Sequence, residues 1–141
     1  MKRKEQGFTL IELMITIAVL AIIATMAAPS MMNIVRKQRL TTDVQDLINL
    51  ATQTRSEAVL YKKERKLGLP SSGDFQWSPS KHNEWQTQPQ SSLSYNMFGN
   101  LTIVEQCFIL KSKDDASLKA VIIMRKNGSI SFNKQLLACP A

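Results

Sequence analysis

An uninterrupted apolar segment near the start of the chain constrains its fold more than any other feature. The 23 residues from Leu13 to Val35 contain no charged side chain. As a helix rising ~1.5 Å per residue, such a segment is about 35 Å long and can cross a hydrocarbon core of about 30 Å. The basic residues Lys2, Arg3 and Lys4 precede it, and basic flanks stay on the cytoplasmic side of a membrane. We therefore predict a single-pass membrane protein with a cytoplasmic N-terminus and with the remainder of the chain outside the cytoplasm.

A cleaved secretory signal peptide is the alternative interpretation of the same segment. Signal peptides also have a basic start, an apolar core and small residues at the cleavage site, for which "ATMAAPS" is a candidate. Their apolar core runs to about 7–15 residues, and a carboxylate seldom stands at its head. The length of this segment therefore favours a retained membrane helix.

One carboxylate, Glu12, stands at the head of the apolar segment, five residues after Gly7. The stretch "KEQGFTLIELMITIAVLAIIA" resembles the processing site of the type IV pilin superfamily, which includes pilus subunits and the pseudopilins of type II secretion. The resemblance implies a leader of residues 1–7 and cleavage between Gly7 and Phe8 by a prepilin peptidase. It also implies N-methylation of Phe8 and a helix-kinking role in assembly for Pro29, since many pilins have a proline there.

The resemblance also implies a use for the charge of Glu12. Cleavage leaves a positive amine on Phe8, four residues from Glu12, and residues four apart share one face of a helix. In a growing filament, Glu12 of an incoming subunit attracts the Phe8 amine of its neighbour and sets the axial register, a role to which buried charge pairs are suited. The alternative is that Glu12 lies at the membrane surface and reaches water, but this leaves Gly7 and the basic leader unexplained.

Beyond residue 32 the chain keeps a helical period but becomes amphipathic. One stripe recurs at alternating intervals of four and three residues. Its members are Leu40, Val44, Leu47, Ala51, Thr54, Ala58 and Tyr61. We predict one helix over about residues 9–64, with residues 8–32 in the membrane and residues 33–65 packed on a sheet. A coiled-coil seam is the alternative, but the small residues of the stripe suit a sheet better.

Residues 66–141 have the pattern of a small β-domain. The segments "RKLGL", "FQWS", "LSYNMF", "LTIVEQCFILK" and "LKAVIIMRKNGSISF" read as strands, and Asn127-Gly128 predicts a hairpin in the last one. The polar stretch of residues 70–92 predicts loops, with Trp77 and Trp85 packing a loop onto the sheet. The predicted fold class is α+β, a long N-terminal helix packed on a small antiparallel β-domain.

The two cysteines, Cys107 and Cys139, favour a disulfide if this domain lies outside the cytoplasm. A bridge closing a loop of about 32 residues stabilises a domain by roughly 3–4 kcal/mol in the chain-entropy model. Two free thiols are the alternative. There is no CxxC spacing, phosphate-binding loop, nucleophile elbow or zinc-ligand spacing, and the chain has one histidine. We expect no cofactor, no metal and no enzymatic activity.

Features in the second half of the helix and in the β-domain are similar to those of the GspH/FimT/FimU group of minor pilins and pseudopilins. They are the short β-domain, "RSEA" at residues 55–58 and a strand-Asn-Gly-strand-Cys-Pro ending. The resemblance implies a subunit that helps to prime or cap a type IV pilus or a type II secretion pseudopilus. Its implied partners are other major and minor pilins or pseudopilins, the prepilin peptidase and inner-membrane lipid. The implied location is the bacterial inner membrane, with the C-terminal domain in the periplasm.

DNA binding during natural transformation is the alternative function, because some members of this group bind DNA. Those members carry a Gly-Arg-x-Arg pattern in the final hairpin, whereas "NGSIS" has Ser129 and Ser131 in place of the arginines. Arginines there would contact phosphates, and serines lack the charge. The remaining candidate DNA contacts are Arg125, Lys126 and Lys134. The formal net charge of +7 also favours an acidic partner.

Overall fold

The computed structural model describes residues 8–69, 73–87, 92–133, 136 and 138–140, with the backbone alone at residues 28 and 29. The chain divides into two compact units, and the boundary falls between Val35 and Arg36. One helix, α1, runs from Leu10 to Leu60. Seven strands follow among the described residues: β1 (Arg65–Gly68), β2 (Phe75–Gln76), β3 (Asn83–Thr87), β4 (Ser92–Tyr95), β5 (Gln106–Ser112), β6 (Lys119–Met124) and β7 (Ile130–Asn133). The predicted α+β class is confirmed.

The helix ends four residues earlier than the sequence indicated, at a C-terminal cap centred on Lys62. The backbone of Lys62 is left-handed, with φ of 49°. Its N–H donates to the carbonyl of Val59 at 3.4 Å, and the N–H of Lys63 donates to that of Ala58 at 3.2 Å. This is the Schellman pattern, which is usually built on glycine. Because a lysine occupies this position, no glycine marks the end of the helix in the sequence. Tyr61, expected in the buried stripe, is 62 % exposed.

The other members of the predicted stripe form the helical side of the hydrophobic core. They are Leu40, Val44, Leu47, Ala51, Thr54 and Ala58, and each is at most 5 % exposed. The hydroxyl of Thr54 donates to the carbonyl of Leu50 at 2.7 Å, which satisfies a polar group that would otherwise be buried alone. Every residue of the core cluster lies in the second unit, from Arg36 onward. That unit therefore has its own complete core and can fold without the apolar segment.

The strands form two sheets in the second unit. One has the order β2-β1-β4 and the other the order β3-β5-β6-β7. The β1 and β4 strands are antiparallel, as are all the pairs of the four-stranded sheet. The β1–β2 pair is parallel, with Leu67 opposite Phe75. The predicted antiparallel β-domain is thus confirmed apart from one short parallel pair.

The β3 strand lies within the stretch that was predicted to be loops. Glu84 pairs with Lys111 of β5, and their side chains form an ion pair with Nζ and Oε1 3.0 Å apart. The ring of Trp85 lies 5.5 Å from those of Phe108 and Trp77, edge to face in both pairs. The loop prediction was wrong here because cross-strand pairing and aromatic packing override the weak strand propensity of Asn, Glu and Gln.

The predicted hairpin joins β6 to β7 at Asn127-Gly128. The N–H of Gly128 donates to the carbonyl of Arg125 at 2.8 Å, and the N–H of Arg125 donates to that of Ser129 at 2.9 Å. Gly128 has φ of 77°, and a Cβ there would overlap the carbonyl oxygen of Gly99. Arg55 of α1 reaches the same place and donates from Nε to that oxygen at 2.9 Å. A glycine is required here both by the turn and by the close approach of two loops.

Candidate membrane and assembly segment

The first turn of α1 is capped by Thr9. The Oγ1 of Thr9 accepts a hydrogen bond from the backbone N–H of Glu12 at 3.3 Å, and its carbonyl accepts one from Leu13 at 3.2 Å. Thr9 is therefore the N-cap, and Glu12 occupies the third helical position of a Thr-x-x-Glu sequence, which is the sequence pattern of a capping box. Sequence reasoning missed this role, although a Thr-x-x-Glu pattern before an apolar run is its known signal.

Phe8 lies outside the helix, because α1 begins at Leu10. Its side chain is among the most accessible in the described chain, at 84 % exposed. The four-residue helical spacing expected between Phe8 and Glu12 therefore does not apply, whereas Glu12 lies in the first helical turn. A carboxylate there interacts favourably with the positive end of the helix dipole. Gly7 lies outside the described residues.

The surface of α1 from Leu10 to Ala27 is not covered by any of the residues that the structure describes. This range has a mean hydropathy of 2.5, none of it is buried, and it is long and apolar enough to cross a membrane. The hydroxyls of Thr16 and Thr25 donate to backbone carbonyls at 2.8 and 2.7 Å. An apolar helix whose hydroxyls are satisfied internally is suited to lipid, where no water can pair with them.

Pro29 does not end the helix. The structure continues α1 through this position to Leu60. A proline inside a helix removes one backbone donor and crowds the preceding turn. A kink at Pro29, and a role for it in assembly, stay predictions.

Basic residues flank the apolar segment on both sides. Sequence reasoning weighed the N-terminal cations at positions 2–4, but Arg36, Lys37 and Arg39 follow the segment directly. The two flanks thus carry three cations each. Because orientation depends on a difference between flanks, these charges alone do not set the orientation of the segment.

A disulfide joins Cys107 of β5 to Cys139, with the Cα atoms 5.8 Å apart. It links positions separated by 32 residues. Cys107 pairs across the sheet with Ile123 of β6, so the bridge attaches the end of the chain to the middle of the four-stranded sheet. Its effect is confined to the second unit.

Of the three candidate DNA contacts, the structure describes Arg125 and Lys126. Arg125 and Lys126 are exposed at the turn after β6, and Lys134 lies outside the described residues. The Nε of Arg125 is 3.7 Å from Oε1 of Glu105, so a carboxylate offsets part of the charge that a phosphate would need. DNA binding at this turn stays a prediction.

Other titratable side chains of the second unit have structural contacts. Nδ1 of His82 lies 3.3 Å from a guanidinium nitrogen of Arg39 and 3.7 Å from Oδ2 of Asp114. In the buried Asp43, Oδ2 accepts hydrogen bonds from Nδ2 of Asn83 and from the backbone N–H of Ser80, both at 2.8 Å. In the part of the chain that the structure describes, no three His, Cys, Asp or Glu side chains form a group that could hold a metal.

Residues 2–28 match a family model described as the prokaryotic N-terminal methylation motif. No curated protein and no solved structure matches the chain. The matched range contains the basic residues 2–4, Gly7, Phe8 and Glu12, and it includes the whole membrane-length range Leu10–Ala27 of α1. A methylation motif on an exposed, membrane-length helix indicates a type IV pilin-like protein of the prepilin type.

Proposed function

We propose that the protein is a minor type IV pilin or pseudopilin that helps to prime or cap a type IV pilus or a type II secretion pseudopilus. It is cleaved between Gly7 and Phe8 by a prepilin peptidase and N-methylated at Phe8. The observation that carries the proposal is the uncovered apolar surface of Leu10–Ala27, which coincides with the methylation motif. Proteins of this class are structural subunits, and enzymatic activity is not expected.

Two environments cover the apolar surface in turn. Before assembly the segment spans the inner membrane once, with the second unit on the periplasmic side. After assembly the same side chains pack against the helices of other pilins or pseudopilins. A helix that is apolar all round can exchange lipid for neighbouring helices without exposing its side chains to water.

Glu12 has two roles in this proposal. In the single subunit its backbone N–H donates to Oγ1 of the N-cap Thr9, and its side chain stands at the position that completes a capping box. In the filament its carboxylate pairs with the Phe8 amine of a neighbouring subunit. A charge in an apolar environment is costly when it is alone, so subunits in the correct axial register are favoured over subunits that leave Glu12 unpaired.

Two substitutions separate these roles. Glu12→Gln keeps a side chain that can complete a capping box but removes the charge, whereas Glu12→Ala removes both. We expect both variants to be cleaved normally, because the cut lies upstream, and both to assemble poorly. The measurements are the size of the mature subunit on an immunoblot and its amount in sheared filaments. Assembly of Glu12→Gln at the wild-type level would show that the helix cap matters and the charge does not.

A third substitution tests the processing step. Gly7→Leu places a bulky side chain next to the cut, so uncleaved precursor should accumulate in the membrane fraction. Normal maturation of this variant would refute cleavage between Gly7 and Phe8, whatever the outcome at Glu12.

A further inference from the structure

A cleft of about 250 Å³ lies in the second unit, beside the first turns that α1 contributes to it. Its apolar walls include Leu40 of α1, Leu118 before β6 and Phe132 of β7. Lys37 and Lys119 also line it. The cleft thus combines an apolar interior with two ammonium groups, a combination that suits an anionic group attached to carbon.

The position of Lys37 in the sequence indicates where this cleft lies relative to a membrane. The uncharged run ends at Val35, and Arg36 and Lys37 are the first charges after it. If the run crosses the membrane, as the proposed function requires, the first cations beyond it lie among the lipid headgroups. One wall of the cleft therefore starts in the headgroup layer.

Two carboxylates lie near these cations without cancelling them. Asp114 is shared between Arg39 at 4.0 Å and His82 at 3.7 Å. Asp115 accepts hydrogen bonds from the hydroxyl and the N–H of Ser117, at 2.6 and 3.0 Å. Those bonds, followed by the charges of Arg36 and Lys37, hold the pKa of Asp115 below its usual range. The cations here are Arg36, Lys37, Arg39 and Lys119, so positive charge remains in excess.

We propose that this cleft binds the headgroup of an anionic phospholipid in the membrane that α1 crosses. The phosphate lies between the ammonium groups of Lys37 and Lys119, and the glycerol and first acyl carbons lie against Leu40, Leu118 and Phe132. This inference rests on the membrane span of the proposed function. It adds a headgroup site on the folded unit to the anchor that the apolar segment provides.

The second unit alone provides the test, since residues 36–141 contain the whole core and the disulfide. The fragment is sedimented at low salt with phosphatidylcholine vesicles, with or without about one third phosphatidylglycerol. We expect binding to the anionic vesicles alone. Lys37→Ala with Lys119→Ala should weaken it about 30-fold, since each cation near an anionic surface contributes about 1 kcal/mol.

The matched control is Lys62→Ala with Lys63→Ala, which removes the same charge just beyond the other end of α1. This variant should bind within about twofold of the wild type, because its lysines are distant in sequence from the headgroup layer. Equal losses in the two double variants would overturn the proposal in favour of unspecific attraction. Wild-type binding by the Lys37/Lys119 variant would overturn it as well.

Free glycerol 3-phosphate distinguishes a lipid from a soluble phosphate ester. Saturable binding of this compound without any binding to anionic vesicles would overturn the lipid assignment. The proposed function is checked separately, by fractionation of the full chain. Loss of the full chain from the membrane would contradict the membrane span, whereas the vesicle experiment uses a fragment without the apolar segment and reports on the cleft alone.

Discussion

The two parts of α1 have opposite surroundings although they belong to one helix. In the first part Leu20 is 63 % exposed, whereas in the second part Leu47 is completely buried. The first part has apolar side chains on every face, and the second has one apolar stripe with charged residues elsewhere. A single sheet can cover the one apolar stripe of an amphipathic helix, but a helix that is apolar all round needs partners on every side, which the described part of this chain does not supply.

The difference follows from charge and not from helix propensity. Arg39, Asp46 and Glu57 stay in contact with water when the stripe of the second part is buried. Between Leu13 and Val35 there is no charged group to face water. Secondary structure is therefore the same in both parts, while the environment that each part requires is different.

The largest expected effect comes from placing one carboxylate in each part of the helix. Leu47→Asp buries an unpaired charge and should lower the free energy of unfolding of the second unit by at least about 4 kcal/mol. A loss of this size unfolds many domains. Leu20→Asp should leave that unit folded but oppose membrane insertion by about 2.5–3.5 kcal/mol. Circular dichroism in detergent measures the first effect, and membrane fractionation of the expressed chain measures the second.

The two parts of α1 are independent only if Leu47→Asp affects folding of the second unit alone and Leu20→Asp affects membrane insertion alone. A Leu20→Asp chain whose second unit loses its melting transition would contradict the independence of the two parts. So would a Leu47→Asp chain that leaves the membrane fraction. Leu47→Ala and Leu20→Ala serve as milder controls, with an expected loss of about 2–5 kcal/mol for the first and almost none for the second.

The next largest effect is expected from loss of the disulfide. Both of its cysteines lie in the second unit, so its loss should affect the stability of that unit and not the membrane segment. Replacing Cys107 and Cys139 together by serine should lower the free energy of unfolding of residues 36–141 by about 3–4 kcal/mol. Membrane fractionation of the full chain should not change. Urea denaturation measures the first quantity. The wild-type fragment under reducing conditions is the control, and a loss below about 1 kcal/mol would contradict a stabilising bridge.

The smallest effect at neutral pH is expected at Tyr95, one of the largest fully buried side chains. Its hydroxyl has no hydrogen-bond partner within the described chain. Burial raises the pKa of Tyr95 from 10.0 to about 12, although the charge of Arg55 acts in the opposite direction. Since no hydrogen bond is lost, Tyr95→Phe should change the stability near neutral pH by less than about 1 kcal/mol.

The sign of the pH dependence is set by the raised pKa of Tyr95. Below pH 10 the phenol is neutral in both states, and its contribution to stability is fully present. As the pH rises from 10 towards about 12, the unfolded state ionises first and stability is lost. The loss amounts to about 2–3 kcal/mol at most. Urea denaturation across this range should show a steeper decline for the wild-type fragment than for Tyr95→Phe, and parallel declines would contradict a dry interior at Tyr95.

Several features of the fold were predictable because their signals are local. The stripe from Leu40 to Ala58 depends on helical periodicity, and the hairpin at Asn127-Gly128 depends on the conformational freedom of glycine. The end of α1 at Leu60 was missed, because Lys62 adopts a conformation for which glycine is the usual signal. The β3 strand was missed because its pairing partner lies more than twenty residues away in the sequence.

The candidate functional residues also divide into those with a local sequence signal and those that depend on contacts between distant segments. Gly7, Phe8 and Glu12, the residues proposed for processing and assembly, all lie within the methylation motif of residues 2–28, which is a local sequence pattern. The N-cap at Thr9 was also encoded locally but was missed. The cleft beside Lys37 could not have been predicted, because Lys119 and Phe132 reach it from other parts of the chain.

The sequence by itself determined the apolar segment, its methylation motif, the amphipathic stripe and the final hairpin, because each depends on the order of neighbouring residues. Tertiary structure alone decided the pairing of β3 with β5, the approach of Arg55 to the Gly99 carbonyl and the cleft between α1 and β7. These depend on contacts between distant segments. Such contacts form when the shared core excludes water and brings those segments together, which no local pattern records.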